Sequence, residues 1–170
     1  LSESKDKMTY VVCADYVRGG RADVYYHQTK FKDIEGEVKR GKYKLLKIND
    51  VLEYFKKGIE VGSNAYVPEG IPFVRVADID DYKINYDKTD KKISLEDYRR
   101  LKNNYKPRQG EILYSKDGTI GICVIVEEEK NFIVSGGILR LKVKEGVNKY
   151  YIKTILSNCI LKILAEHESI

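Results

Sequence analysis

The sequence predicts an α+β fold, a mixed and mostly antiparallel twisted sheet with flanking helices, and three observations carry that expectation. Four β-rich runs follow one another closely after Gly110: EILYS, TIGICVIV, NFIVS and GILRLKV, the pattern of short strands separated by turn residues. Between the first two, Lys116-Asp117-Gly118 has the make-up of a tight hairpin-like turn. Two further segments, opening at Ser94 and at Asn148, repeat apolar residues at three and four, the period of an amphipathic helix.

Along the chain, residues 8–14 (MTYVVCA) form an apolar run of strand length, followed by a break at Gly19-Gly20. From Thr29 to Lys39 the residues Phe31, Ile34 and Val38 recur at helical spacing, and Gly41 is placed to stop that helix. Residues 1–42 are therefore expected to be a linker and helical tail from an upstream region, with a compact body over 43–170. Asn49-Asp50 suggests a helix start and predicts a short helix over about Val51 to Lys56. KKGIEVGSNAYVPEG lacks periodicity and is rich in Gly, Ser, Asn and Pro, so it is expected to be a long loop, a feature that is uncommon inside compact domains and usually functional. IPFVRVADI, with Pro72 near its start, predicts a strand, and after the polar turn Asp80-Asp81 the piece YKINY predicts a second extended segment. Ser94 with Asp97 three residues on forms a capping box, and Leu95, Tyr98 and Leu101 line one face of the helix that follows. Asn148 caps the last helix, in which Ile152, Ile155, Leu156, Cys159, Ile160, Ile163 and Leu164 make the strongest periodic signal in the chain. That face is expected to dock on the sheet.

The 170 residues suit a single globular domain able to bury about two-thirds of its unfolded surface. At 42% hydrophobic and 34% charged the composition is ordinary for a soluble protein, and no apolar run reaches the ~20 residues of a membrane span. LSESKDKMTYVV lacks the order of a signal peptide, so no membrane association and a cytoplasmic location are expected. Cys13, Cys123 and Cys159 lie in apolar surroundings and are expected to be buried thiols. His27 and His167 have no Cys or His neighbour at ligand spacing, so no metal is expected. The 31 Lys+Arg exceed the 26 Asp+Glu by five, and the whole excess lies in residues 83–108, with nine basic side chains against four acidic. A local excess is the form a polyanion footprint takes; a solvated basic helix is the bland alternative.

Catalytic chemistry is missing. Acidic residues one place from a Lys occur at Asp81-Tyr82-Lys83, Glu3-Ser4-Lys5, Glu37-Val38-Lys39 and Glu128-Glu129-Lys130, a frequency that composition explains, so the triplet does not mark a nuclease. There is no Gly-rich turn between a strand and a helix for a methyl-donor cofactor, and no Asn-Pro-Pro-aromatic or Pro-Cys element for a flipped base. Gly118-Thr119-Ile120-Gly121 lies between two strands, which is the wrong context for a phosphate loop. No nucleophile with a partnering base is apparent.

The order of segments is informative. GIPFVRVADI, then a helix, then RQGEILYSKDGTIGICVIV and IVSGGILRLKV resembles the target recognition domain of type I restriction-modification specificity subunits, in which a Gly-containing loop leads to a segment like IPFIRVSDI and then to a GDILxSxxGTIG hairpin. The terminal helix YYIKTILSNCILKILAEHESI resembles the element that follows such domains, and the likeness runs from about Tyr43 to Ile170. Upstream, Arg21, Asp23, Tyr25 and Tyr26 resemble the junction through which an adenine-specific DNA methyltransferase continues into an equivalent C-terminal domain, although Asn49 stands where a glycine is common. The parent is thus either a separate specificity subunit or a fused methyltransferase.

The resemblance implies a target-recognition-domain-like fold over 43–170 that is not an enzyme by itself and reads double-stranded DNA in the major groove. The implied partners are a methyltransferase subunit or domain and a restriction subunit. No cofactor is implied in this chain, S-adenosylmethionine being expected on the partner methyltransferase. Basic side chains hold phosphates while amides, hydroxyls, Arg and carboxylates read base edges. The base-reading candidates are Lys56, Lys57, Ser63, Asn64 and Tyr66 in the first loop, Arg75 and Asp78 at the strand end, and Ser115, Lys116, Asp117 and Thr119 in the hairpin. The phosphate candidates are Lys91, Lys92, Arg99, Arg100 and Lys106. The bland alternatives are turn-shaping by Ser63, Asn64 and Asp117, and pairing of Arg75 with a neighbouring carboxylate. The alternative for the whole is a protein-interaction module with an incidental basic surface.

Overall fold

The computed structural model describes residues 29–80 and 82–158. The expectations for MTYVVCA, Gly19-Gly20, Arg21 to Tyr26, His27, Asp81, Cys159 to Leu164 and His167 lie outside the described residues. Two compact units are present, with described parts 29–45 and 46–158. The first holds helix α1 (Thr29–Lys39), where Lys39 pairs with Glu35 one turn back at 3.1 Å, and the Gly41 N–H donates to the Val38 carbonyl just past its end.

The second unit is a four-layer stack. A single helical turn, α2 (Ile48–Val51), leads into strand β1 (Leu52–Lys57). After a 3-10 turn at Ser63–Ala65 come β2 (Tyr66–Val74), a second 3-10 turn at Val76–Asp78, β3 (Lys92–Ile93) and α3 (Leu95–Tyr105). Strands β4 (Ile112–Ser115), β5 (Cys123–Ile125), β6 (Ile133–Val134) and β7 (Ile138–Val143) precede helix α4 (Lys149–Leu156). One sheet is antiparallel in the order β1-β7-β4-β5; the other has the order β3-β2-β6, with β2 antiparallel to β3 and parallel to β6. The α+β class with a mostly antiparallel, mixed sheet is therefore what the chain forms, the strands being divided between two sheets.

Alternation along the strands sorts side chains into layers. Leu113, Val124, Val126 and Ile138 from the first sheet meet Val74, Val134 and Phe132 from the second. On the other face of the first sheet, Ile112, Cys123, Ile125 and Leu141 pack under Ile152 and Leu156 of α4. On the far face of the second sheet, Phe73, Ile93 and Ile133 pack under Tyr98 and Leu101 of α3. Both faces of both sheets are covered, which is why GICVIV and NFIV read as continuous apolar runs. Each fully buried Val, Ile, Leu or Phe contributes about 1.5–3 kcal/mol relative to exposure. Cys123 is buried as expected, and the described part of the last apolar face docks on the sheet.

Both expected caps form. The Ser94 hydroxyl accepts from the Asp97 N–H at 3.0 Å and contacts the Asp97 carboxylate at 2.9 Å, and Asn148 accepts from the N–H groups of Tyr150 and Tyr151. Four expectations need correction. The helix predicted over Val51 to Lys56 is strand β1: Asp50 closes only one turn by accepting from the Lys47 N–H, and LEYFKK then pairs with β7, a distant ladder overriding a weak local start. The expected long loop ends at Tyr66, because β2 begins there, five residues before IPFVRVADI, and the last part of that run turns as a 3-10 segment. YKINY forms only a bridge from Ile84 to Ile79, since Asp80 takes up the N–H groups of Tyr82 and Lys83 and bends the chain. Leu95 is half exposed, so the buried stripe of α3 is Tyr98 and Leu101 with Tyr105 beside them.

A charged pair is buried on the inter-sheet face. Arg140 on β7 donates from Nε and Nη2 to the two oxygens of Glu111, at 2.8 and 2.9 Å; Glu111 has no exposed surface and Arg140 has 3%. The remaining guanidinium nitrogen donates to the Asn104 carbonyl in the last turn of α3 at 2.8 Å, and the Tyr54 hydroxyl on β1 donates to Glu111 at 2.7 Å. Arg140→Leu alone is expected to cost about 3–5 kcal/mol in urea unfolding because it strands a buried carboxylate, and the double change Glu111→Leu with Arg140→Leu is expected to cost less. Burial first, and then the Glu111 carboxylate, push the Tyr54 phenol from 10.0 up to about 12. The fold thus favours the neutral phenol, an advantage present below about pH 10 and lost as the pH rises toward 12; the alkaline loss of stability should be shallower in Tyr54→Phe.

Candidate functional site

The three segments singled out in the sequence meet at one end of the stack. Lys57 pairs with Leu139 and Ser115 with Ile138, so the end of β1, the start of β7 and the end of β4 lie side by side. The parallel pairing of Val74 with Val134 and the bridge from Ile59 to Ser135 bring the end of β2 and the first loop to the same place. Between them opens a shallow cleft of about 400 Å³ lined by Glu60 and Tyr66 from the loop, Arg75, Val76 and Ala77 after β2, Asp117 and Gly118 from the hairpin, and Ser135 and Gly137 before β7.

Of the base-reading candidates, Tyr66, Arg75 and Asp117 face this cleft. Tyr66 is half-buried, edge-on to Phe73 with ring centroids 5.6 Å apart, and Lys91 lies 5.3 Å above its ring. Arg75 bonds to Asp90 through Nη2, and its Nε faces the Asp78 carboxylate at 3.5 Å. Lys116 pairs with Asp117 beside it. Thr119 is exposed on the hairpin and Lys57 at the adjoining strand end. Ser63 and Asn64 form the exposed 3-10 turn before β2, outside the cleft lining. Lys56 extends over the Tyr54 ring at 5.0 Å.

Two candidates point inward. Asp78 is 6% exposed and accepts from the Arg75 N–H at 2.8 Å and from the Thr89 hydroxyl at 3.2 Å, closing the turn after β2 and tying it to the strand that follows. Ser115 has no exposed surface; its hydroxyl donates to the Thr119 carbonyl at 2.6 Å and accepts from the Ile122 N–H at 2.8 Å. With Gly118 and Gly121 at φ of +67° and +86°, a region that glycine enters freely, Ser115 sets the shape of the hairpin. Neither side chain presents a free group to a ligand in this conformation.

The basic stretch does not make one surface. Lys91 lies by the cleft, pairing with Asp90 at 3.5 Å, and Lys92 sits on β3 opposite Pro72. Arg99 and Arg100 are exposed on α3, Arg100 holding Asp97 at 2.8 Å and, with Ser94, lowering the pKa of that carboxyl. Lys106 pairs with Glu129 at 2.7 Å in a second cleft with Lys102, Arg108, Gln109 and Asn131. Its bond to Glu129 is the main cause that lowers the pKa of that carboxyl. Asn131 leads into β6 and Ser135 leaves it, so the two clefts lie toward opposite ends of this strand. Glu60 at the first cleft is absent from the candidates read from the sequence, and at the second Lys102 and Arg108 stood out only as members of the basic stretch. The first loop and the charge excess were the available signals, but neither says which side chains turn the same way. No group of His, Cys, Asp and Glu able to hold a metal occurs among the described residues, and no helix among them is long and apolar enough to cross a membrane.

Three loops are thus gathered at one end of the two sheets. Residues 40–169 match the family described as type I restriction modification DNA specificity domain, and the chain belongs to that family. It is a specificity domain and not a catalytic one. The fold is similar to that of the HsdS subunit from Thermoanaerobacter tengcongensis, with a TM-score of 0.54, 17% identity, and 84% of this chain covering 37% of that one. Weaker likenesses are to a structure described as the basis of complex assembly and conformational transition of the type I R-M system (TM-score 0.48, 15% identity, 75% of this chain and 34% of that), and to the S subunit from M. genitalium (0.42, 14%, 71% and 30%). The chain thus spans about a third of these structures. No curated protein matches it.

Ser115→Ala removes both bonds of a buried hydroxyl and leaves the Ile122 N–H unpaired. An expected loss of about 1–3 kcal/mol follows, with faster amide exchange at Ile122 as the local readout.

Proposed function

We propose that this domain reads a specific sequence of double-stranded DNA in the major groove and directs a partner adenine methyltransferase, which carries S-adenosylmethionine, to that site; a restriction subunit is the further partner. The observation that supports this reading is the convergence of Tyr66, Arg75 and Asp117 from three separate segments on one cleft in a member of a DNA specificity family. An aromatic face, a guanidinium and a carboxylate are groups that contact base edges, and the protein acts in the cytoplasm, where its DNA is.

Phosphate contacts come from Lys91, Lys92, Arg99, Arg100 and Lys106. Three of these are paired with carboxylates, Asp90 and Glu129 exposed and Asp97 partly so. Exposed pairs of this kind are worth about 0–1 kcal/mol, so a phosphate exchanges for the carboxylate at little cost.

Titration of the chain against duplexes at several salt concentrations should show an affinity falling linearly on a log-log scale. The combined change Lys91→Gln, Arg99→Gln and Arg100→Gln should reduce the slope by roughly 2–3. Absence of binding at low salt, or an affinity indifferent to salt, contradicts the proposal.

A further inference from the structure

The Glu60 side chain reaches across the first loop onto the Ser135-Gly136-Gly137 turn. A Cβ placed at Gly136 would run into the Glu60 carboxylate, so the glycine makes the room in which that carboxylate lies. Among the described residues no ion pair holds Glu60, in contrast to its neighbours at the cleft: Arg75 is taken up by Asp90 and Asp78, Lys91 by Asp90, and Asp117 by Lys116. Of the three charged residues that line the cleft, Arg75 and Asp117 are thus neutralised by partners, and Glu60 keeps its charge. An unpaired carboxylate disfavours a phosphate in direct contact with it. A base edge that presents N–H donors is not disfavoured, and an ionised carboxylate, which only accepts hydrogen bonds, can meet only such an edge without being left desolvated and unpaired.

We propose that Glu60 is a specificity-determining residue: its carboxylate accepts a hydrogen bond from the exocyclic amino group of a base in the major groove, the N6 amino group of adenine or the N4 amino group of cytosine. Guanine and thymine present only acceptors, or an acceptor and a methyl group, at that edge and are rejected by the same carboxylate. The proposal rests on DNA reading by this cleft and adds to it the chemical class of one base.

The test is selection of duplexes from a randomised library by the full chain and by its Glu60→Ala and Glu60→Gln variants, each checked for an unchanged circular dichroism spectrum. The wild-type protein should enrich adenine or cytosine at one position, and that preference should fall roughly 5–150-fold in Glu60→Ala while other positions keep theirs. At that position, purine in place of adenine, or 2-pyrimidinone in place of cytosine, lacks the amino group; the matching analogue should weaken the wild type and leave Glu60→Ala indifferent, which tells the two bases apart. Non-specific affinity should hold or rise in Glu60→Gln, since a negative charge is removed. Variants that enrich the same motif as the wild type, or that lose affinity for all sequences alike, overturn the role of Glu60 and leave DNA reading intact. A wild-type chain that binds no duplex overturns both.

Discussion

Glu111 and Arg140 stand across one ladder of the four-stranded sheet, and their pair ties together four elements. Arg140 sits opposite both Leu113 on β4 and Lys56 on β1, so its bonds to Glu111 fix the register of β7 against β4, while the Tyr54 hydroxyl on the same carboxylate fixes β1 as well. The Asn104 carbonyl adds the end of α3. A slip of one residue in β7 turns every side chain of that strand to the opposite face, which here would put Arg140 among the aliphatic residues under α4 and carry Ile138 out of the inter-sheet core. Two buried charges with all their strong bonds satisfied therefore specify one register, because each alternative leaves one of them unpaired in an apolar layer.

Register decides where the strand ends fall. With β1, β7 and β4 locked, Lys57, Gly137 and Ser115 come to the same edge, and the parallel pair β2 and β6 delivers Arg75 and Ser135 beside them. The site is thus a consequence of the core. Its loops are set by short local devices: Asp78 closing the turn after β2, and Ser115 clasping the hairpin through Thr119 and Ile122. Side chains that hold the loops are buried, while Glu60 and Asp117 remain exposed at the cleft, a division suited to a specificity module.

Much of this was legible in the sequence where the signal is local. The strands from Ile112 to Val143 announce themselves by β-rich runs between turn residues, and Ser94 and Asn148 cap helices through bonds to N–H groups two or three residues away. What depended on distant partners was not legible. LEYFKK resembles the start of a helix until β7 pairs with it some eighty residues later, and a Glu and an Arg within strands give no sign that they bury each other. At the site, the loop, the strand end and the hairpin stood out, but the direction of each side chain did not: Asp78 and Ser115 turn inward, while Glu60, unremarked among the loop residues, lies in the cleft. The charge excess of residues 83–108 likewise hid a division, since Lys91 and Lys106 serve different clefts and Arg99 and Arg100 the outside of α3.

The central claim is that the loops gathered at the end of β1, β2 and β4 act as one surface toward DNA. Amide hydrogen exchange of the chain with and without a bound duplex tests it most directly. The account predicts joint protection of residues 57–66, 75–78 and 116–121, with the outer face of α4 unchanged. Protection confined to α4, or to the cleft of Lys102, Lys106 and Arg108 with none at the three loops, would contradict it.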